Sequence, residues 1–369
     1  MNKISIIGTA GVPACYGGFE SLVENILDYK LPFLDYVVIC SKKKYKKQLL
    51  FYKNAKLKYI NLNANGVSSI LYDYFGILNT INSDIMLILG VSGCTILPII
   101  KLLYKGKIIT NIDGLEWKRA KWNKIAKYML KISEKMAVKY SDIIIADNKA
   151  ILDYIAIKYK DYFEKARLIE YGADHLLVNA SQNDNNEFYN SINTKYAITV
   201  CRIEPENKIH INLEAFAKYT KLDIIIVGNW NNSKYGINCF KKYKSYSNIK
   251  MLDPIYDNKK ITALRKNAYL YIHGHSAGGT NPSLVEAMYL GLPVLAYDCV
   301  YNRETTENKA IYWDTADELY NILSGLKEEN IKRIGNELKE IADRRYTWKT
   351  ISEKYNNIFK GLINKEFPS

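Results

Sequence analysis

Short apolar runs alternate along this chain with longer stretches of helical period. In the first half the runs Lys3 to Ile7, Tyr36 to Cys40, Lys58 to Asn61, Ile85 to Leu89, Lys107 to Thr110 and Ile143 to Ala146 read as buried strands. The alternation resumes with Tyr196 to Cys201, Asp223 to Val227, Ile249 to Leu252, Tyr269 to Ile272 and Val294 to Tyr297. Strands that are apolar on both faces, separated by helices, predict parallel sheets covered on both sides. Between the two sets, 171–193 is polar and includes QNDNNE, the composition of a linker. The pattern therefore predicts an α/β chain with domains over 1–175 and 192–346.

Three helices carry most of the remaining pattern. One runs from Gly18 to about Tyr29. A second is expected as one long helix from Glu116 to Tyr140, with Trp122, Ile125, Met129, Ile132, Met136 and Tyr140 spaced to face the core and lysines between them. In the last segment, 347–369, Trp348, Ile351, Tyr355 and Phe359 share one helical face suited to burial.

Composition narrows the class. A length of 369 residues favours two cores over one, and six cysteines with no C-x-x-C pair argue against a metal ribbon or a disulfide framework. The N-terminus enters a strand at once, without the regions of a signal peptide. The apolar stretch Ile85 to Ile100 is broken by Gly90, Gly93 and Pro98 and reads as a strand, a turn and a helix start. A cytoplasmic protein with peripheral membrane contact is expected. Net charge is +14, and residues 1–171 hold 26 Lys+Arg against 15 Asp+Glu, so the basic excess sits in the first half. That asymmetry suggests an anionic partner, a membrane surface or a polyanion.

Candidate chemistry collects where predicted strands end. After Ile272 comes HGHSAGGTNPSLVEAM, in which Gly278 and Gly279 precede Asn281 as N-cap and Pro282 in the first helical turn. Unpaired N–H groups at a helix N-terminus attract a phosphate group, while Glu286, one turn further in, is suited to accepting hydrogen bonds from sugar hydroxyls. After Cys201, Arg202 and Lys208 flank a strand-to-helix turn, and two cations so placed can converge on a diphosphate. After Ile7 the loop TAGVPACYGGFE puts Gly17 and Gly18 before a helix that opens with Glu20. After Thr110 follows NIDGLEWKRAKW, which places Asp113 and Glu116 at a strand's carboxyl end; Asp113 is there either to bind or deprotonate an acceptor hydroxyl, or to cap the next helix.

GGTNPSLVEAM followed by GLPVLAYD resembles the donor-binding motif of retaining GT-B glycosyltransferases of the family-4 type, and four blocks (8–20, 111–122, 199–216, 273–298) are most similar to bacterial polysaccharide rhamnosyltransferases. That resemblance implies a GT-B architecture, with two Rossmann-like doubly wound domains facing a central cleft and the C-terminal helix returning to the first. It implies donor contacts from Gly17, Gly18, Arg202, Lys208, His273, Gly278, Gly279, Thr280, Asn281 and Glu286. On the acceptor side it implies Glu20, Asp113, Glu116, Lys118 and Arg119. Catalytic roles fall to Asp113, Arg202, Lys208 and Glu286. Of the family's two glutamates eight positions apart, Glu286 matches the second and Gly278 replaces the first. An arginine usual at the place of Ala10 is also missing. The implied reaction is transfer of L-rhamnose from dTDP-L-rhamnose, with retention, to a polyprenyl-diphosphate-linked saccharide in capsule or cell-wall polysaccharide assembly. Neither a cofactor nor a metal is expected, since the chain has no Asp-x-Asp triplet, and no nucleic-acid partner is expected. The rival readings are a UDP-hexose donor, a GT-B-like nucleotide-sugar epimerase and, more distantly, a nucleic-acid-binding protein.

Overall fold

The computed structural model describes residues 2–15, 17–66, 68–119, 122–178 and 195–364. The chain forms two compact units, Met1–Glu170 with Trp348–Ser369, and Tyr171–Thr347. Residues 171–175, assigned from the sequence to the first domain, cluster with the second, and most of the polar run read as a linker lies outside the described residues.

The first unit is built on eight strands: β1 (Asn2–Ile7), β2 (Leu34–Ser41), β3 (Phe51–Tyr52), β4 (Ala55–Ile60), β5 (Ile85–Leu89), β6 (Lys107–Asn111), β7 (Ile143–Ala146) and β8 (Ala166–Leu168). Their order is β3-β4-β2-β1-β5-β6-β7-β8, and all pairings are parallel except that of β3 with β4. Ile4, Ile6, Val38, Ile39, Met86, Leu87, Ile108 and Ile144 are all buried, as expected of strands covered on both faces. The chain moves one way from β1 to β4 and the opposite way from β5 to β8. Right-handed crossovers therefore put the helix Gly18–Asp28 on one face and the helices Ser69–Leu78, Leu97–Leu103, Lys124–Tyr140 and Lys149–Lys158 on the other. The C-terminal helix Trp348–Ile363 joins the first of these faces. Trp348, Ile351, Tyr355 and Phe359 are buried, Phe359 meets Tyr36 edge-on, and Asn356 Nδ2 donates to the Tyr29 carbonyl at 2.8 Å.

The second unit holds β9 (Tyr196–Val200), β10 (Asp223–Val227), β11 (Ile249–Leu252), β12 (Leu270–His273), β13 (Val294–Tyr297) and β14 (Ile311–Trp313) in the order β11-β10-β9-β12-β13-β14. This is the doubly wound order in which the chain reverses direction between the first and fourth strands of the sheet, and ligands bind at that point of reversal. Its core gathers Ala197, Phe216, Ile224, Ile226, Trp230, Ile272 and Trp313.

One expected helix is replaced by two shorter elements. Instead of one helix from Glu116 there is a single 3-10 turn, Glu116–Lys118, and the α-helix starts at Lys124 with Asn123 Oδ1 accepting from the Ala126 N–H at 2.9 Å. The expected core stripe is displaced as well. Ile125 and Met129 are exposed, whereas Leu130, Ser133, Glu134, Ala137 and Val138 are buried. Leu130, Ala137 and Val138 form the stripe buried instead, and Glu134 goes in beside them, its carboxylate accepting from Trp117 Nε1 at 2.8 Å, Tyr154 OH at 2.6 Å, Tyr159 OH at 2.7 Å and Lys158 Nζ at 3.0 Å. Four donors compensate the burial of this carboxylate and let it lie inward.

Candidate functional site

At the switch point of the second unit, β9 and β12 lie side by side, Leu270 opposite Ala197 and Tyr271 opposite Ile198, so the loops leaving their carboxyl ends meet. The β9 loop carries Arg202, passes through the 3-10 turn Pro205–Asn207, and reaches Lys208 in the left-handed region at φ 51° before the helix Ile209–Lys218. The β12 loop runs from Gly274 to Thr280, with Gly278 at φ 119°, into the helix Pro282–Tyr289. Asn281 caps that helix, accepting from the Ser283 N–H at 3.0 Å, and Gly291 at φ 74° follows its end.

The two loops are tied together by residues no motif singled out. Asn207 Nδ2 donates to the Arg202 carbonyl at 2.7 Å, while its Oδ1 lies 2.8 Å from His275 Nδ1. With the Asn207 amide oriented by Arg202, the His275 proton belongs on Nδ1. Ser276 donates twice to the Glu206 carbonyl, through N–H and Oγ, each at 2.9 Å. A Cβ on Gly274 would lie 2.1 Å from the Asn207 carbonyl oxygen, so the backbones approach more closely than any side chain allows. Asn302 Nδ2 fixes the far side by donating to the His275 carbonyl at 2.9 Å. The result is one preorganised rim bearing the Arg202 and Lys208 cations on one loop and the backbone amides of 278–281 on the other.

Arg202 is partly exposed, with its Nε 3.8 Å from Glu204 Oε2, a contact of little strength at that distance. The Lys208 ammonium rests over the Tyr297 ring at 4.9 Å, at the end of β13. Thr280 and His273 are buried, and among the described residues His273 Nε2 has no hydrogen-bond partner. Burial holds the His273 pKa down at about 3, so the ring is neutral. Its place is within the wall beneath the rim, stacked on Tyr271.

Glu286 is more committed than the sequence suggested. Its Oε2 lies 2.7 Å from Arg265 Nη1 and its Oε1 3.5 Å from His175 Nε2, and Arg265 also donates to Ser283 Oγ at 3.2 Å. Burial raises the pKa of this carboxyl, but the Arg265 guanidinium and His175 outweigh burial and leave it below the usual carboxylate value. A fully ionised, oriented carboxylate results, and each oxygen has a lone pair left for a hydroxyl.

The remaining candidates lie in the first unit. Glu20 is buried and serves its own loop, accepting from the Ala10 N–H at 2.7 Å and Thr9 Oγ1 at 3.2 Å. Gly17 has φ 138° and a Cβ there would sit 2.0 Å from Glu20 Oε2, so this glycine is required by the helix start; Gly18 is the first helical residue. Asp113 takes the left-handed conformation at φ 55°, its N–H donating to Asn111 Oδ1 at 2.9 Å, and the capping role falls to Asn123 instead. Glu116 is held by Arg119 Nε at 3.0 Å and Trp122 Nε1 at 3.1 Å. Lys118 is exposed, its ammonium 5.7 Å from the Trp117 ring centroid. Arg202, Lys208 and the amides of 278–281 thus share one switch point, whereas Gly17, Gly18 and Glu20 lie at that of the other sheet.

Comparison with known proteins agrees with this division. Residues 1–174 match a domain of unknown function, DUF1972, and residues 182–315 match the model described as glycosyl transferases group 1. No curated protein sequence matches. Among solved structures, the sucrose-phosphate synthase of Thermosynechococcus elongatus superposes with a TM-score of 0.78 at 14% identity, covering 99% of this chain and 100% of that one. Anabaena Alr3699/HepE in complex with UDP-glucose gives 0.74 at 16% identity, covering 97% and 99%. The S. aureus MnaA complex with UDP gives 0.67 at 16% identity, covering 100% and 99%. The chain has a GT-B fold, and the residues matching the group 1 glycosyl transferase model, 182–315, hold the cationic and amide loops described above.

Proposed function

We propose that this protein is a retaining glycosyltransferase that uses a nucleotide-diphosphate sugar, with dTDP-L-rhamnose as donor and a polyprenyl-diphosphate-linked saccharide as acceptor. The observation that carries the reading is the joined pair of loops at the β9/β12 switch point. A diphosphate seated there meets the Arg202 fork, the Lys208 ammonium and the backbone amides of 278–281 that lead into the helix Pro282–Tyr289, fixed charges and dipoles that stabilise it as it leaves. Glu286, ionised and oriented by Arg265, takes hydroxyls of the donor. Retention follows if a leaving phosphate oxygen accepts the acceptor's proton on the same face, so that positioning and charge stabilisation are all the protein supplies. Asp113, at the end of β6, is the acceptor-side carboxylate for a hydroxyl, beside Glu116, Lys118 and Arg119.

The match of 182–315 to group 1 transferases favours this over the epimerase reading that the likeness to a putative UDP-N-acetylglucosamine 2-epimerase from Listeria monocytogenes raises. An acceptor of this class is anchored in a bilayer, which suits a peripheral protein at an anionic membrane surface inside the cell, working in capsule or cell-wall assembly. Thermal-shift titration with dTDP-L-rhamnose, UDP-glucose and UDP-N-acetylglucosamine tests the donor. A rise in Tm with dTDP-L-rhamnose alone is expected, a rise only with a UDP-sugar replaces the donor, and no shift with any of them removes the reading. Incubation with donor alone separates the epimerase, which would interconvert the sugar without an acceptor.

A further inference from the structure

The helices Ser69–Leu78, Leu97–Leu103 and Lys124–Tyr140 cover one face of the first sheet, and each is apolar on two sides. In the first, Tyr72, Gly76 and Ile77 are buried while Leu71, Phe75 and Leu78 point outward. In the second, Leu97 and Ile100 are buried while Ile99, Leu102 and Leu103 are exposed, Leu102 by 85%. In the third, Leu130 and Ala137 are buried while Ile125, at 76% exposure, Tyr128 and Met129 face out. The outward residues recur at steps of three and four, so each helix presents a second apolar stripe.

The three helices are neighbours. Ser133 Oγ donates to the Ser92 carbonyl at 3.4 Å, Ser92 Oγ donates to Asp73, and Tyr74 OH meets Thr95 Oγ1, which ties all three to the turn after β5. An exposed apolar surface spread over three adjacent helices marks a contact site.

Charge decides what covers it. The only carboxylates on these helices are Asp73 and Glu134, and both are buried. Lys124, Lys131, Lys135, Lys139 and, just past the second helix, Lys105 are exposed. A second copy of this chain would bring the same lysines against these, and like charges facing each other oppose association. An anionic bilayer supplies the opposite charge together with a medium for the leucines, the combination that holds interfacial helices in the headgroup layer.

We propose that this three-helix face is the surface by which the protein docks on an anionic lipid bilayer, with Leu102, Leu103 and Ile125 entering the acyl boundary and the lysines among the headgroups. The inference rests on the proposed function only in that a lipid-linked acceptor requires such a docking. Flotation of the full-length protein with vesicles of phosphatidylcholine alone or mixed with phosphatidylglycerol tests it, in a buffer without nucleotide. Binding to the mixed vesicles only is expected, weakening with salt. A Leu102→Ser, Leu103→Ser, Ile125→Ser variant should lose affinity on the order of a hundredfold, since burial of exposed leucines is what it removes. A Lys105→Ser, Lys124→Ser variant, which leaves the apolar stripes intact, should bind several-fold more weakly. Equal binding to both vesicles, or wild-type binding by both variants, overturns the proposal. A wild-type dimer that the serine variant converts to a monomer overturns it too, by assigning the face to a second copy. Donor-induced Tm shifts measured on the same variants should be unchanged, so failure on vesicles and failure of the donor reading are separate results.

Discussion

Two sheets of one winding order have been put to different uses in this chain. At the first sheet's switch point, the loop after β1 closes on itself. Gly8 is pressed against the Leu89 carbonyl, where a Cβ would lie 2.1 Å away, and Glu20 accepts from the loop's own Ala10 N–H. At the second, the loop after β9 is tied to the loop after β12 by Asn207, Glu206, His275 and Ser276, with the Arg202 carbonyl orienting Asn207, while the side chains of Arg202 and Lys208 are left out of these ties. A glycine loop before a helix is thus not in itself an anion site. The charge the loop consumes internally decides the matter: a buried glutamate already accepts from one loop's amide and hydroxyl, whereas the other pair of loops adds the Arg202 and Lys208 cations to its amides and so favours an anion.

The largest expected effect follows from removing that difference. Arg202→Ala should lower turnover on the order of a hundredfold, as loss of one transition-state donor does elsewhere, with little change in Tm because the side chain is partly exposed and weakly paired. The matched change in the other loop, Glu20→Ala, should behave in reverse. It removes the acceptor of two buried hydrogen bonds and should cost about 1–3 kcal/mol of stability while leaving nucleotide-sugar affinity as it was. Kinetics and thermal melts of both variants check the pair; equal losses of turnover would show that the sheets do not differ in the way described.

A smaller effect is expected from the glycines that permit the close approaches. Gly274→Ala puts a Cβ 2.1 Å from the Asn207 carbonyl and 3.3 Å from the Lys208 side chain, so the cationic loop must move away from the amide loop. Affinity for a nucleoside diphosphate should fall roughly tenfold, and that for the monophosphate much less, because misplacing one donor set weakens the phosphate contacts that need both loops. Gly8→Ala meets an equally close carbonyl in the first sheet and should destabilise by about 1–3 kcal/mol with no such selectivity. Isothermal titration with the two nucleotides distinguishes a local displacement from general loosening.

Much of this was legible in the sequence where a pattern is local. The strands Ile85–Leu89, Ile143–Ala146, Asp223–Val227 and Val294–Tyr297 fall where apolar runs predicted them, and Asn281, Pro282 and Gly291 bound their helix as their chemistry requires. Local pattern failed where a long-range polar contact overrode it. The stripe through Ile125 and Met129 has sound helical spacing, yet Glu134 faces inward because Trp117, Tyr154, Lys158 and Tyr159 converge on it, and no periodicity encodes that meeting. Glu286 read as an open carboxylate because its partners, Arg265 and His175, are distant in sequence. The Asn207 to His275 contact spans 68 positions and joins two loops each of which reads as complete alone. The short edge strands β3, β8 and β14 were also missed, being too brief for alternation to show.

The smallest expected effect concerns pH, and it sets the two units against each other once more. His273, near the second switch point, has its pKa depressed by burial from 6.5 to about 3, so below 6.5 the unfolded chain takes a proton that the native one refuses. Its contribution therefore lowers stability progressively as pH falls from about 6.5 towards 3. Asp73, under the turn after β5, has its pKa raised by burial from 3.8 to about 7, with a hydrogen bond from Ser92 opposing the rise. The native state keeps that proton when the unfolded chain has lost it, so the stability this group contributes is complete below 3.8 and is lost as pH rises towards 7. In the full-length protein, Asp73→Asn should leave the His273 contribution unopposed, so that Tm falls on acidification below 6.5, and His273→Leu should leave that of Asp73 unopposed, so that Tm falls as pH rises from 4 to 7, each by a few degrees. Because the two groups act with opposite sign over one window, wild-type Tm should vary less with pH than that of either variant; two variants with parallel profiles would mean that burial does not set these protons apart.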